Sequence, residues 1–409
     1  MSWCVRAFFA VLAVASVVGL LNTTACTRRG KSSTLPPTTP PLTTLVVDPK
    51  TGSDTTGNGS ADKPFKTLTK AMAVVKASTT GGLTISLSPG QYTTANGEVF
   101  PVVVPTGVTI DGTGYGGGPR ELHAAFVTGA GEDTAYEQIV GKTSTRTAFA
   151  TLVIAPNVTE VQINKLYVGA ASLQMPANAS YAAVDSLGAF SASNVTFAAA
   201  TGTTHANVGG VALPGGSLSC TACTLLGSSY ALLAFTAQGL PPSIQLSGQP
   251  GQGIIGGTIG LLTDGTANVA SSYQTYQSRQ YGYRDSFVAP ASTPGTSTSI
   301  ATVDFGGGTQ SAGGNVLIGA HGIISEIAVT TKDSSVSALA NTWNPNIQGT
   351  NAHGQYAHDR IFKQGTRGKN VTVSAIASFS SVLVGPPVPP TSSPPPSGSP
   401  GPTTSPSPT

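Results

Sequence analysis

The sequence predicts an all-β fold, a single-stranded right-handed parallel β-helix with one N-terminal capping α-helix. A four-point apolar pattern occurs three times, at Val161–Val168, Phe190–Phe197 and Leu218–Leu225, with copies 29 and 28 residues apart. Each copy places two inward side chains on either side of a corner, as one turn of a strand-built coil requires. Charged residues make up only 9% of the chain and glycine numbers 50, which favours strands and tight turns.

The N-terminal residues 1–25 have the pattern of an export signal. The uncharged apolar run Ala7–Leu21 follows Arg6 and is too short for a confident membrane span. Ala25 directly before Cys26 resembles the bacterial lipoprotein cleavage site, in which that cysteine is lipidated. An ordinary secretory signal also fits Thr23-Thr24-Ala25, so both alternatives stay open. Thr27 resembles the outer-membrane sorting pattern, and we expect a lipoprotein of the outer membrane or cell surface, or else a secreted protein.

Composition divides the remainder of the chain into a tether, a domain and a tail. Residues 26–44 hold the Cys26 anchor and a Pro/Thr-rich spacer, and residues 386–409 are Pro/Ser/Thr-rich and predicted to be disordered. Residues 45–385 contain no linker-like stretch, so we predict one β-helix domain there. The formal net charge of +3 and the absence of a basic stripe argue against nucleic-acid binding. We expect a monomer that meets a membrane only through its lipid.

The domain opens with a strand at Leu45–Asp48 and one amphipathic helix at Thr67–Ala77. Apolar residues at i, i+3, i+4 and i+7 mark one face of that helix: Leu68, Ala71, Met72 and Val75. A coil of strands has an open apolar end, and we predict that this helix covers it together with Phe65.

Strand signals follow one another through the rest of the domain. At 26–29 residues per turn, the length predicts nine to eleven turns. In the first repeat Gln162, Lys165 and Tyr167 are predicted to point outward. Asn164 is expected at the corner, because asparagine tolerates left-handed backbone geometry.

Several short motifs resemble a known family. Gly52-Ser-Asp54, Lys63–Leu68 and Ser88–Tyr92 look like the start of pectate-lyase-like right-handed β-helices. Gly97-Glu-Val-Phe-Pro101 with Val108–Gly112 is similar to the bacterial domain-of-unknown-function family 1565. The segments Gly306–Asn315 and Asn341–Pro345 also resemble that family. The resemblance implies a fold and no established reaction.

Enzymes on this fold are similar in their acidic residues, which this chain does not reproduce. Uronic-acid lyases use several Asp residues for calcium with an Arg or Lys base, and hydrolases use paired carboxylates. We find no close Asp pair in the sequence and interpret Glu132-Asp133 as a solvated turn. A polysaccharide lyase or glycoside hydrolase is therefore the alternative function. It would be favoured if four residues converged on one groove: Asp304, His321, Glu326 and Arg360.

Metal and cofactor binding are not predicted. His353, His358 and Asp359 could supply a two-His-one-carboxylate set, but their spacing fits no helix face and loop histidines are the better interpretation. Cys220 and Cys223 fall on inward positions of the third repeat. An exported protein permits a disulfide between them, and buried free thiols fit equally well.

The most unusual segment is Tyr273–Asp285, in a chain with only 6% aromatic residues. We interpret it as a loop whose rings and guanidinium groups either stack on sugars or lie flat on the outer wall. Its candidate ligand-binding residues are Tyr273, Tyr276, Arg279, Tyr281, Tyr283 and Arg284. The sequence thus favours a non-catalytic envelope protein that binds carbohydrate or another surface partner.

Overall fold

The computed structural model describes the chain in a series of ranges. They are 43–78, 82–112, 123–134, 147–170, 179–199, 207–212, 215–235, 240–264, 267–287, 302–306, 308–318, 323–327, 334–337, 341–343, 361–365 and 371–373. Within them the chain winds as a right-handed parallel β-helix, as predicted. None of the helices in these ranges is long and apolar enough to cross a bilayer.

One strand from each turn joins a parallel sheet of 11 strands, which we call face A. Its strands are β1 (Thr44–Val47), β2 (Leu83–Leu87), β5 (Val108–Gly112), β9 (Val161–Asn164), β12 (Ala189–Ser193), β15 (Ser217–Thr221), β18 (Ser243–Ser247), β20 (Asn268–Ser271), β22 (Thr302–Asp304), β25 (Ser334–Ser337) and β28 (Val371–Val373). Eleven face A strands in the described part of the chain agree with the predicted nine to eleven turns.

The second sheet has 17 strands, and its pairings form two ladders. Face B contains β3 (Gly90–Tyr92), β6 (Ala125–Thr128), β10 (Tyr167–Gly169), β13 (Thr196–Ala198), β16 (Thr224–Leu226), β23 (Val316–Ile318) and β26 (Thr342–Trp343). Face C contains β4 (Val102–Val104), β8 (Ala148–Ile154), β11 (Ser180–Ser186), β14 (Asn207–Ala212), β17 (Tyr230–Phe235), β24 (Ile323–Ile327) and β27 (Ile361–Gly365). The long strands β19 (Gly253–Asp264) and β21 (Gln274–Phe287) run through both faces. The short β7 (Gly131–Glu132) pairs antiparallel with β8.

The predicted repeats form the core of the coil. All twelve pattern positions are buried, and each apolar column stacks in register from turn to turn, as Phe190 does on Val161 and Leu218. Phe190 and Phe197 meet edge to face across the interior, with ring centroids 6.1 Å apart. Burying each large apolar side chain contributes about 1.5–3 kcal/mol, so these columns hold successive turns together.

The corner between faces A and B has left-handed backbone, one residue later than predicted. Asn164 closes β9, and the positive φ of 56° belongs to Lys165. The same corner position is occupied by Asn194 (φ 54°) and Ala222 (φ 56°) in the next two turns. The prediction for Asn164 was therefore wrong, because strand pairing continues through it to Ser193.

The capping helix α1 (Leu68–Ala77) confirms the prediction that one helix covers the open apolar end of the coil, and we call this helix the lid. Thr67 caps its N-terminus by accepting a hydrogen bond from the Lys70 amide. The four residues of the predicted apolar face are buried, and so is Phe65. The helix contacts β1, β2 and β4 at the first turn of the coil, so its apolar face is part of the continuous core.

A second apolar cluster lies on the outer side of face C, separate from the core. We call it the outer cluster, and its buried members are Ala148, Ala182, Val208, Val211, Leu233, Ile259 and Leu262. The pairing between face C strands skips one position, at Ala183 in β11. In β14, Val208 before the skipped position and Val211 after it both belong to this cluster, so this part of the outer side of face C is apolar.

Candidate functional site

The N-terminal family motifs hold the lid in place. Asp54 accepts hydrogen bonds from the Lys66 amide (2.8 Å), the Thr67 amide (3.0 Å) and the Thr67 hydroxyl (2.8 Å). Glu98 accepts from the Leu68 amide (2.6 Å), the Thr69 amide (2.9 Å) and the Thr69 hydroxyl (2.7 Å). Helix N-terminal amides lack intrahelical acceptors, and these carboxylates supply them. Burial raises the pKa of Glu98, and the hydrogen bonds from Thr69 and Leu68 oppose that change.

Gly52 of the same motif is required by close packing. A Cβ at this position would lie 2.2 Å from the Phe65 carbonyl oxygen and 2.5 Å from the Asp48 carbonyl oxygen. Both separations are far below van der Waals contact, so only glycine fits there. The motif residues Gly52, Asp54 and Glu98 therefore have structural roles around the lid, and their contacts do not point to a catalytic or binding function.

Asp304 is a structural anchor, which excludes it from the acid/base set that an enzyme would need. Its carboxylate accepts hydrogen bonds from four backbone amides, those of Gly306, Gly308, Gln310 and Ser311, at 2.9–3.2 Å. Its exposed fraction is 5%. The glycine-rich segment therefore folds around this carboxylate, and its donors leave little room for a substrate.

Asn315 ends the glycine-rich segment in a second hydrogen-bonded hub. Its side-chain amide donates to the carbonyl oxygens of Ser271 (2.7 Å) and Phe305 (2.8 Å) and to Oδ1 of Asn341 (2.9 Å). Its Oδ1 accepts from the Ser271 hydroxyl and the Gln274 amide, both at 3.0 Å. The C-terminal motifs thus tie neighbouring turns together.

The tyrosine-rich segment is a strand, so the predicted loop was wrong. Tyr276 and Tyr283 are fully buried, and each meets Phe305 edge to face with centroids 5.5 Å apart. Their hydroxyls contact Ser271 (2.7 Å) and Thr263 (3.0 Å), respectively. Burial raises the pKa of Tyr276. These two rings fill the core and cannot stack on a ligand.

The other four candidates of this segment lie on the outside of the coil or at its corner. Arg279 is exposed, and the Arg284 guanidinium lies 5.9 Å from the Tyr281 ring centroid in a cation–π contact beside the outer cluster. Tyr273 occupies the left-handed corner, with φ of 60°. The structure therefore does not bring the six candidates together as one surface.

Cys220 and Cys223 are buried free thiols in the structure. The Cys223 Sγ lies 3.6 Å from the Ala192 carbonyl oxygen and 3.7 Å from that of Thr221. Burial, and then the contact with Cys223, raises the pKa of Cys220 well above its usual range. Of the two alternatives from the sequence, the structure has core thiols, and the disulfide is not formed in it.

Two buried carboxyl groups that are distant in the sequence lie on the outer side of face C. Asp133 and Asp185 are both buried, with exposed fractions of 4% and 0%. Burial, and then the charge of Asp133, raises the pKa of Asp185 well above its usual range. Glu132 is exposed as expected, but Asp133 is not in a solvated turn. A lone Asp after the apolar run Tyr181–Val184 was the signal that sequence reasoning missed.

The outer side of face A carries two rows of short polar side chains, which we call the polar ladder. Its members are Thr84, Thr109, Gln162, Ser191, Ser219 and Gln245 in one row, and Ser86, Asp111, Asn164, Ser193, Thr221 and Ser247 in the other. All twelve are exposed or half-buried. Strands lie about 4.8 Å apart, so six strands give a flat polar surface about 24 Å long. One carboxylate, Asp111, is the single charged group of the ladder.

An aromatic pair lies around the corner from the polar ladder, on the outside of face B. Phe126 and Tyr167 are adjacent in register and half-buried, with centroids 5.7 Å apart and planes inclined by 42°. Thr196 follows Tyr167 in the same row, and its hydroxyl lies 2.8 Å from His123 Nε2. Burial raises the pKa of Tyr167. Rings with hydroxyl and imidazole neighbours suit contact with a sugar.

Several predicted candidates fall outside the described residues or side chains. Cys26, His321, His353, His358, Asp359 and Arg360 are outside the described ranges, and the Glu326 side chain is not described. Across the part of the chain that the structure describes, no group of three His, Cys, Asp or Glu residues could hold a metal ion.

The family model of DUF1565, a protein of unknown function, matches residues 50–219, somewhat less than half of the chain. This match confirms the resemblance drawn from the N-terminal motifs. None of the curated proteins matches the sequence.

Solved structures with a similar fold include several proteins that act on carbohydrate. The complex of XylC with xylose shares 10% identity at a TM-score of 0.39, covering 74% of this chain and 70% of that one. A rhamnogalacturonan lyase shares 13% sequence identity at a TM-score of 0.34, and the match covers 81% of this chain and 87% of that one. The pectin methylesterase from Aspergillus niger shares 12% identity at a TM-score of 0.31, and the match covers 84% of this chain and 89% of that one. Their substrates say nothing about the ligand of this chain.

Proposed function

For a chain that matches DUF1565 over residues 50–219 and winds as a pectin-lyase-like β-helix, we propose a non-catalytic role in binding an uncharged polysaccharide outside the cell. The polar ladder is the observation that carries this proposal. Its hydroxyl and amide groups supply donors and acceptors on a flat surface without bulky side chains. A polysaccharide chain lying along the coil axis would meet the same kind of group at every turn.

The charge of the ladder selects the kind of polymer. With only Asp111 charged among twelve side chains, the ladder offers no cations to pair with uronic acids or sulfated sugars. Hydroxyl groups of a neutral sugar can both donate to and accept from Ser, Thr, Asn and Gln side chains. The ligand class is therefore a neutral glycan, and the aromatic pair Phe126 and Tyr167 would stack on sugar rings at its edge.

Sedimentation with insoluble cellulose, chitin and β-1,3-glucan, together with a neutral glycan array, tests the proposal. Ser191→Arg and Ser219→Arg place long charged side chains on neighbouring strands of the ladder, and we expect at least tenfold weaker binding. Gln277→Arg is the matched control, because Gln277 is exposed on a strand outside the ladder. Absence of wild-type binding to all of these probes, or unchanged binding by both ladder variants, would contradict the proposal.

The enzyme alternative is not supported by the carboxyl pair. Glycoside hydrolases hold their two carboxyl groups roughly 5–9 Å apart, with the substrate between them. Asp133 and Asp185 are instead buried, with at most 4% of either residue exposed, which leaves no room for a substrate between them. Asp304 is committed to four backbone amides and is 5% exposed, so it is not open to a substrate either.

We also propose that the protein is exported and anchored by lipid on Cys26, with residues 26–44 as a spacer. The support is the apolar run Ala7–Leu21, the small residue before Cys26 and the Pro/Thr-rich composition that follows. Mass spectrometry of the mature N-terminal peptide would show a diacylglyceryl group on Cys26. A peptide that begins after residue 25 with an unmodified cysteine would indicate secretion instead.

A further inference from the structure

Most of the described cations lie at one end of the coil, which we call the lid end and define as residues 43–78 and 98–104. Five lysines belong to it, and all are exposed: Lys50, Lys63, Lys66, Lys70 and Lys76. The other Lys and Arg side chains that the structure describes are Lys165, Arg279 and Arg284, and they lie on later turns. Positive charge is therefore concentrated at one end of a weakly charged coil.

The carboxylates of the lid end are engaged mainly by the protein itself. Asp54 and Glu98 each accept three hydrogen bonds from residues at the start of α1. Asp48 accepts from the turn that follows it, including the Thr51 hydroxyl at 2.7 Å. Of these four acidic residues, Asp62 is the exposed one and the others are buried or half-buried. The charge that the lid end presents to solvent is therefore mainly positive.

The outer face of the lid combines lysines with small side chains. The sequence of α1 contains no acidic residue, and its apolar face is buried in the core. The opposite face exposes Lys70, Ala73, Lys76 and Ala77. Because the alanines are much shorter than the lysines, both ammonium groups can approach a flat surface together. This face therefore suits contact with a broad anionic surface.

Two of the four large apolar side chains that are exposed in the described part of the chain also lie at the lid end. The exposed fraction is 64% for Val99 and 52% for Val103. The Val99 amide donates to the Thr69 hydroxyl of the lid at 2.9 Å, and Val103 lies on β4, which contacts α1. Thr69 and Lys76 are seven residues apart in the helix and therefore share one side of it. Exposed apolar groups thus lie beside the cations.

The described chain also begins at this end. The Thr43 carbonyl oxygen accepts from the Thr84 amide where β1 pairs with β2, and β1 contacts α1. We propose that the lid end docks on the anionic phospholipid headgroups of the membrane in which Cys26 is anchored. This inference rests on the proposed lipid anchor for the membrane's position. The spacer would give the lid end a high effective concentration at that surface, so a weak contact is enough.

The chemistry of the contact is electrostatic and interfacial. Headgroup phosphates pair with the lysine ammonium groups, and Val99 and Val103 enter the boundary between headgroups and acyl chains. The contact adds to the lipid, which the sequence alone predicted as the sole attachment to a membrane. With its first turn on the bilayer, the coil projects outward. The polar ladder, which begins at Thr84, is then presented to a ligand.

Flotation with lipid vesicles tests the contact independently of the lipid anchor. The probe is the full chain after removal of the export signal, with Cys26→Ser in every sample. We expect at least fivefold stronger binding to phosphatidylcholine vesicles with about 30% phosphatidylglycerol than to pure phosphatidylcholine, and loss of this difference at about 0.5 M salt. A lysine near an anionic surface strengthens binding about fivefold, so Lys70→Gln with Lys76→Gln should weaken it at least tenfold. The matched control, Lys165→Gln with Arg279→Gln, removes the same charge from later turns and should bind as the unsubstituted probe does.

Equal binding to anionic and neutral vesicles, or no binding to either, would overturn the proposal. Equal losses in the lid variant and in the control would also overturn it, because net charge rather than the lid end would then explain the binding. Circular dichroism of both variants checks that the coil is intact. An unmodified Cys26 in the native protein would refute the lipid anchor and leave the vesicle result unchanged. Failure of the vesicle contact would leave the lipid anchor and the polysaccharide proposal standing.

Discussion

Replacing Glu98 by alanine should lower the free energy of unfolding of the lid and first turns by about 4 kcal/mol. The Leu68 and Thr69 amides each lose their acceptor, and no carbonyl of the helix can replace it. An unpaired buried donor costs about 1–3 kcal/mol and a half-buried one less, which gives roughly 2–5 kcal/mol for the Leu68 and Thr69 amides together. The Thr69 hydroxyl adds little, because it can turn to the Val99 carbonyl oxygen, 3.4 Å away.

Urea denaturation followed by circular dichroism, with hydrogen exchange of residues 68–77, would measure this loss. Glu98→Gln keeps one acceptor oxygen, so we expect about half the effect, roughly 2 kcal/mol. Glu132→Gln alters an exposed carboxylate and should change stability by less than about 0.5 kcal/mol. If Glu98→Ala unfolds within 0.5 kcal/mol of the wild type and exchange at α1 is unchanged, the carboxylate does not hold the lid.

Two further predictions concern the corner and the core. Ala222→Gly should raise the free energy of unfolding by roughly 0.5–1 kcal/mol, because glycine relieves the left-handed backbone strain that φ of 56° imposes on alanine. Thermal denaturation would measure it, and a loss of stability would refute the assignment of strain. Cys220 and Cys223 should react with a thiol reagent only after denaturation, since burial raises the pKa of Cys220. Absence of reaction even in denaturant would reveal a disulfide, and rapid reaction of the native protein would contradict their burial.

The sequence could predict the coil because its signal is local and repeated. Val161, Phe190 and Leu218 recur one turn apart in the sequence. The alternation of side chains along a strand, with its rise of about 3.3 Å per residue, is enough to predict that they all point inward. The lid was predictable for the same reason, since its apolar face repeats every three or four residues. Both predictions describe which side chains leave water, and burial follows directly from hydrophobic periodicity.

The tyrosine-rich segment was misread because its aromatic residues do not alternate along one flat strand. Tyr276 and Tyr283 are seven residues apart, and β21 runs through faces B and C with a register shift opposite Gly257 and Ile259. The shift changes which residues point inward, so both rings reach Phe305 although their spacing is odd. A single strand crossing two faces leaves no turn residue to mark the change.

The two buried carboxyl groups could not be predicted, because winding alone buries them on the outer side of face C. Asp133 lies in a loop-like stretch and Asp185 in a strand one turn later, and nothing in either local sequence points to the other. Which outward side chains are covered is also a tertiary property, so the polar ladder and the outer cluster look alike in their strand periodicity. Only the structure separates an exposed wall from a buried one.

The register of the coil bears on how such chains change length in evolution. Phe190 on β12 and Leu218 on β15 occupy the same column, directly after Val161. Deletion of residues 190–217 would therefore join Ala189 to Leu218, and Leu218 would take the place of Phe190 beside Val161. A duplication of the same unit would add a rung by the same rule. The length of the coil can therefore change by whole turns, while insertions shorter than a turn are confined to the connections between strands.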